Sequence, residues 1–228
     1  AKEKMGIARK GVPLLVGTGA QPWVKGVDCL LEGRDFTFGN AKYQGLNQSL
    51  TTQSKPISES SYSLALAATE LLVPQVNLET VSKAALAATW PARCDLFQEN
   101  PISIMDGAHN PAACIWLSDA LTQRYPGQKF HILLGIRQDK DVEGIVQALS
   151  SIALRFTAVE DQGGFLMRAP DLSNRIRSVS DIETASMDRT MIEILKEESS
   201  PILVTGSLYL CGELIESLGF TSSLRQLD

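Results

Sequence analysis

The sequence predicts an α/β fold whose carboxyl-terminal half is a mostly parallel sheet with helices on both faces, and three observations predict it. From Ile102 onward, short apolar runs of strand length alternate with longer stretches whose apolar residues recur at helical spacing. Pro, Gly, Asn and Asp fall between these segments, where turns and caps are required. Runs such as FHILLGI and PILVTG read as buried strands, each followed by a helical stretch, the pattern of a doubly wound sheet.

Near the amino terminus, VPLLVGT (12–18) reads as a strand and GRDFTFGNAKYQG (33–45) as a turn-rich β segment. LTTQSKPISESS (50–61) is a polar loop, and YSLALAATELL (62–72) and LETVSKAALAAT (78–89) are two alanine-rich helices. Pro91, Pro101 and a switch in pattern put a domain boundary within TWPARCDLFQENP (89–101). Next come the strand ISIMDG (102–107) and the helix PAACIWLSDALTQRY (111–125), closed by Pro126 and Gly127. FHILLGI (130–136) is a strand, and DVEGIVQALSSIA a helix with Val142, Ile145, Val146, Leu149 and Ile152 on one face. RFTAVE (155–160) is a strand, followed by a polar, less regular segment. DRTMIEILKEE (188–198) is helical, PILVTG (201–206) a strand, and SLYLCGELIESLG (207–219) a helix. The result is a Rossmann-like doubly wound unit, whose ligands are expected at the carboxyl ends of the strands. The first 91 residues hold too little sheet for a complete α/β domain and read as the tail end of one.

Composition excludes several classes. With 44% hydrophobic and 21% charged residues and a net charge of -5, the chain is an ordinary globular sequence. Its 21 Lys and Arg are scattered rather than clustered, so no nucleic acid is expected as a partner. No stretch approaches the ~18 uninterrupted apolar residues of a membrane span. Cys29, Cys94, Cys114 and Cys211 are widely spaced, without metal-ligand or disulfide patterning, which suits a reducing cytoplasm. The opening AKEKMGIARKG has neither an initiating methionine nor a signal core and reads as part of something longer.

The chemistry concentrates in MDGAHNPAA (105–113). Asn110 before Pro111 makes a helix start, with Asn as cap and Pro in the first turn. Asp106 and His109 remain at the strand's carboxyl end, and the residues alone leave open whether they form a site or a capping network. If they form a site, removing either side chain should abolish activity and leave thermal unfolding nearly unchanged. No G-x-x-x-x-G-K-[ST] phosphate loop occurs, GTGAQP (17–22) lacks the third glycine of a dinucleotide fingerprint, and TGSLYL (205–210) lacks the glycine of a nucleophile elbow.

Four segments in order carry a resemblance. EKMGIARKGVPLLVG (3–17), SYSLALAATELL (61–72), WPARCDLF with ISIMDGAHNPAA (90–113), and DKD (139–141) with VTGSLYLCGEL (204–214) resemble the carboxyl-terminal part of the folylpolyglutamate synthase and bifunctional dihydrofolate synthase family. That family lies within the Mur ligase superfamily. The resemblance implies that residues 1–91 are the end of a P-loop ATPase domain and 92–228 the Mur ligase carboxyl-terminal domain, which binds glutamate. The phosphate loop would then lie upstream of residue 1, and this chain alone would not turn over ATP.

By the same resemblance the activity is an ATP-dependent ligation of L-glutamate to a folate or to dihydropteroate through an acyl phosphate. ATP and Mg are its cofactors, and the setting is a cytoplasmic monomer with no nucleic-acid or membrane partner. Lys4 matches a carbamylated lysine that helps hold Mg, carbamylation turning an ammonium into an oxygen ligand. Arg93 matches a linker arginine on the ATP phosphates, Asp106 a nucleotide contact, and His109 the histidine that organises the acyl phosphate and incoming glutamate. Ser61 stands where the family has an ATP-binding asparagine, Ala92 where it has a linker glycine, and Cys94 precedes a displaced acidic residue, Asp95. Two other readings are another Mur-type amide ligase, acting on a peptidoglycan precursor or polyamide, and a non-catalytic α/β binding module.

Overall fold

Parallel strands need a crossover of a dozen or more residues between them, and the alternation of strand and helix from residue 102 supplies one each time. The computed structural model describes residues 14–16, 36–38, 59–73, 75–87 and 90–219. The chain divides into two units, residues 1–89 and 90–228.

In the first unit, strands β1 (Leu14–Val16) and β2 (Phe36–Phe38) pair in parallel, with Leu14 opposite Phe36. Helix α1 (Glu59–Leu72) begins inside the stretch expected to be loop. It buries Tyr62, Leu66 and Ala67, and the Tyr62 hydroxyl bonds to Ser82 on α2 (Leu78–Ala87).

The second unit opens with β3 (Asp95–Glu99) and β4 (Ile102–Asp106). It continues through α3 (Pro111–Arg124), β5 (Phe130–Leu134), α4 (Val142–Ser150) and β6 (Ala153–Ala158). Next come α5 (Ala169–Val179), β7 (Thr184–Ser186), α6 (Met191–Glu197), β8 (Ile202–Thr205) and α7 (Leu208–Ser217). The sheet order is β3-β4-β8-β5-β6-β7, parallel except for β3. The chain therefore passes from β4 over the place of β8 to β5, runs outward to β7, and returns to fill the gap. That return makes β4, β8 and β5 the switch point, where a doubly wound sheet opens a crevice at its carboxyl edge.

Both faces of the sheet are covered, and strand alternation divides the core accordingly. Ile104, Ile132, Leu134 and Leu203 pack with α3, α4 and α5, whereas Met105, Leu133, Ile202 and Val204 pack with α6 and α7. Helix α4 buries Val142, Ile145, Val146 and Leu149, the i, i+3, i+4, i+7 stripe legible in its sequence. α6 carries a full capping box between Thr190 and Glu193.

Three elements differ from the sequence expectation. The stretch taken as linker contains β3, an antiparallel edge strand bulged between Leu96 and Gln98. The polar segment after β6 contains α5, whose buried face is Ala169, Leu172, Ser173 and Ile176, too thin an apolar stripe to advertise a helix. Pro170 in its first turn and Glu160 Oε2, accepting from Ala169 N at 2.6 Å, fix where it starts. β7 is only three residues, Thr-Ala-Ser, held by pairing with β6 and by Arg177, whose guanidinium donates to Thr184 O.

Candidate functional site

The carboxyl ends of β4, β5 and β8 present three loops, each shaped by a local device. After β4, both Asp106 oxygens accept from backbone: Oδ2 from Cys94 N and Oδ1 from Ala108 N, each at 2.8 Å. Gly107 N donates back to Ala92 O at 2.9 Å, and Asp95 Oδ2 accepts from Ala92 N at 3.3 Å. These bonds clamp the 92–95 turn, where Ala92 (φ 56) and Cys94 (φ 47) both lie in the left-handed region that costs an L-residue roughly 1 kcal/mol or more. Arg93 sits between the two strained residues, exposed, its Nη1 3.2 Å from where a Cβ on Gly107 would project. Burial raises the Asp106 pKa, opposed by the two N–H bonds and then by the charges of Arg93 and His109.

His109 is exposed, and its Nδ1 donates to Gly107 O at 2.8 Å. In the neutral ring that bond leaves Nε2 as the nitrogen carrying the lone pair. Asn110 caps α3, Oδ1 accepting from Ala113 N at 3.0 Å, with Pro111 in the first turn. The stretch thus holds both features read from it: a helix cap at Asn110, and a polar cluster turned toward the sheet edge.

After β8, Gly206 adopts φ 105, and a Cβ there would fall 2.4 Å from Gly135 O. Glycine alone lets this turn lie against the end of β5. Thr205 Oγ1 donates to Ala108 O at 3.4 Å, and Ser207 caps α7 by accepting from Tyr209 N at 3.1 Å. After β5, Asp139 bridges two cations: Arg137 Nε donates to Oδ1 at 3.1 Å and Lys140 Nζ to Oδ2 at 2.9 Å. The Lys140 bond, ahead of the other contributions, holds the Asp139 carboxyl below its usual range. Such exposed pairs add little stability, but here they fix where two positive groups point.

The three loops enclose a cleft of about 170 Å³ lined by His109, Arg137, Lys140, Gly206, Ser207, Leu208 and Tyr209. Two cations, a hydroxyl, an imidazole and the amino end of α7 make this a place for an anionic small molecule. Of the residues singled out in the sequence, His109 lines the cleft, while Asp106 and Arg93 lie in the loop system behind it. Ser61, exposed in the first turn of α1, belongs to the other unit, and Lys4 lies outside the described residues. Arg137, Lys140, Ser207 and Tyr209 were not singled out as site residues, although the DKD and TGSLYL motifs that contain or adjoin them were visible. Among the described residues no three His, Cys, Asp or Glu side chains converge to hold a metal ion.

A doubly wound domain with a cationic cleft at its switch point has the form in which α/β folds bind small ligands. A family model described as dihydrofolate synthetase, C-terminal domain, matches residues 94–217, and the chain belongs to that family. The folylpolyglutamate synthase of Lacticaseibacillus casei is 23% identical over 244 residues, covering 96% of this chain and 56% of the relative. The bifunctional folylpolyglutamate synthase/dihydrofolate synthase of Yersinia pestis, solved with AMPPNP and Mn ion, superposes with a TM-score of 0.74 at 21% identity, covering 96% of this chain and 56% of that one. A bifunctional synthase solved with Mn, AMPPNP and L-glutamate gives a TM-score of 0.71 at 21% identity, with the same coverage. The chain therefore spans little more than half the length of these relatives, and shares its fold with the solved ones.

Proposed function

We propose that the chain works within an ATP-dependent ligase that joins L-glutamate to a folate, to dihydropteroate, or to both. The observation that carries this reading is the cleft, whose Arg137, Lys140 and Ser207 suit the carboxylates of glutamate while His109 faces its amine. Support comes from the family match and from the relative solved with L-glutamate.

The acceptor carboxylate is unreactive until phosphorylated, and the acyl phosphate then offers a leaving group to the amine. An ammonium must lose a proton before it attacks, and His109 takes it on Nε2, the nitrogen that carries the lone pair when Nδ1 donates to Gly107 O. Arg93, whose backbone is held in a clamped turn, neutralises phosphate charge that builds up in transfer. Asp106 acts on the nucleotide by holding that turn, with its remaining lone pairs open to ribose or adenine donors. Ser61 supplies a hydroxyl to ATP. Magnesium held in part by carbamylated Lys4 rests on the sequence resemblance alone, and no step is drawn through it. The same reading makes the protein a cytoplasmic monomer without nucleic-acid or membrane partners; no helix among the described residues is long and apolar enough to cross a bilayer.

A protein comprising this chain and the phosphate-loop half of its relatives should release ADP only when L-glutamate and a folate acceptor are both present. Release with a muramyl acceptor and none with any folate would assign it to another branch of the ligases. No release with either would leave a binding module.

A further inference from the structure

We infer that Phe165 and Tyr209 form an aromatic wall of the cleft that receives the aryl ring of a p-aminobenzoyl acceptor. This rests on the folate-ligase reading above and names a recognition element for its acceptor. Tyr209 lines the cleft, and its ring lies 5.1 Å from that of Phe165 with the planes only 12° apart. Both rings remain largely in water, 62% exposed for Phe165 and 55% for Tyr209, so a large flat apolar surface stands uncovered at the mouth of a polar cleft.

The wall is built before any ligand arrives. Asp161 accepts from Phe165 N at 3.0 Å and from Leu166 N at 2.8 Å, and Gln162 N donates to Glu213 Oε2 on α7 at 3.2 Å. A Cβ on Gly163 would fall 2.7 Å from the Phe165 ring, so that ring packs against bare main chain as well as against Tyr209. The loop is thereby tied to the helix that carries Tyr209, and stacking a ligand there requires little further ordering. Arg137 and Lys140 line the same cleft and suit a carboxylate.

A ligand that satisfies both halves joins a planar ring to a carboxylate through a short rigid link. The p-aminobenzoyl-glutamate made by joining glutamate to dihydropteroate has that form, its glutamate on the cations and its ring on the wall. Free glutamate satisfies the cations and leaves the rings wet. Phe165 is a positioning residue here, acting through Tyr209.

The 228-residue chain titrated calorimetrically with p-aminobenzoyl-L-glutamate and with L-glutamate tests the inference. The aryl compound should bind roughly threefold to tenfold more tightly, the range expected of one aromatic stack. Phe165→Ala and Tyr209→Ala should remove that advantage, Phe165→Leu should remove it despite keeping apolar bulk, and Phe165→Tyr should restore it; none of the Phe165 variants should weaken L-glutamate. Equal affinity for the two probes, an advantage that survives Phe165→Ala, or equally tight binding of adenosine, which is flat but has no carboxylate, would overturn the inference. L-glutamate binding indifferent to Lys140→Ala, with the aryl advantage intact, would strike the glutamate assignment of the cleft and leave the wall standing.

Discussion

Glu198→Gln probes a buried charge cluster near the amino-terminal ends of β5 and β8, away from the cleft. Glu198 follows α6, its side chain 7% exposed, and takes hydrogen bonds from His131 Nδ1, from Arg155 and from Ser200 N, the last at 2.8 Å to Oε1. His131 is held neutral, because Nε2 accepts from Thr157 Oγ1 at 2.7 Å and burial lowers its pKa. For Glu198, burial pushes the pKa up but is outweighed by the hydrogen bonds from Ser200 N and His131 and by the charge of Arg155, so it falls from 4.5 to about 2. At about 1.4 kcal/mol per pH unit that drop corresponds to about 3 kcal/mol of stability at neutral pH, held by the ionised carboxylate. The unfolded chain takes up the proton first on acidification. This stability is therefore complete above about pH 4.5 and is lost as pH falls from there toward 2. His131 acts earlier: its contribution is complete above its ordinary 6.5 and declines as pH drops below it. Urea unfolding of the second unit, followed by tryptophan fluorescence at pH 7, 5 and 3, should show Glu198→Gln less stable by about 3 kcal/mol at pH 7 and by about 1 kcal/mol at pH 3. A gap below about 1 kcal/mol at pH 7, or one that does not narrow on acidification, would refute this account of the cluster.

Other outcomes follow from the site. Gly206→Ala must seat a Cβ at φ 105 and 2.4 Å from Gly135 O, a backbone atom that cannot swing aside, so a loss of about 3 kcal/mol or more is expected in denaturant unfolding. Asp106→Ala strips the acceptor from two buried N–H groups and should cost about 2–4 kcal/mol, whereas exposed His109→Ala should leave the melting temperature within about 1 °C while abolishing ligation. That departs, for Asp106, from the sequence expectation of unchanged stability. Cys114 and Cys211, fully buried and with thiol pKa values pushed up to about 12 chiefly by burial, should resist iodoacetamide at pH 8 until the chain is unfolded, as mass-spectrometric mapping would show.

Strong periodicity made most of the second unit legible. The apolar runs of β4, β5, β6 and β8 and the stripe of α4 each carry their own burial signal, and Asn110-Pro111 carries its own cap. β3, α5 and β7 lack that signal. An edge strand such as DLFQE, a helix with Ser173 on its buried face, and a three-residue Thr-Ala-Ser strand are fixed by what they pair with, not by pattern.

The site divides the same way. Asp106 and His109 could be singled out because polar residues at a strand's carboxyl end in an α/β pattern are uncommon without a reason, and the ordered motifs pointed to a folate ligase family that the match over residues 94–217 bears out. Sequence spacing could not show that Asp106 gives one oxygen to the turn around Arg93 and the other to Ala108 N, since Cys94 lies 12 residues away and meets it only through the β3–β4 hairpin. Nor could it bring Arg137 and Lys140 to His109 and Ser207. Local propensity and motif order are properties of neighbours along the chain and determine elements and family. The cleft joins residues about 100 positions apart, and only the return of β8 between β4 and β5 brings them together.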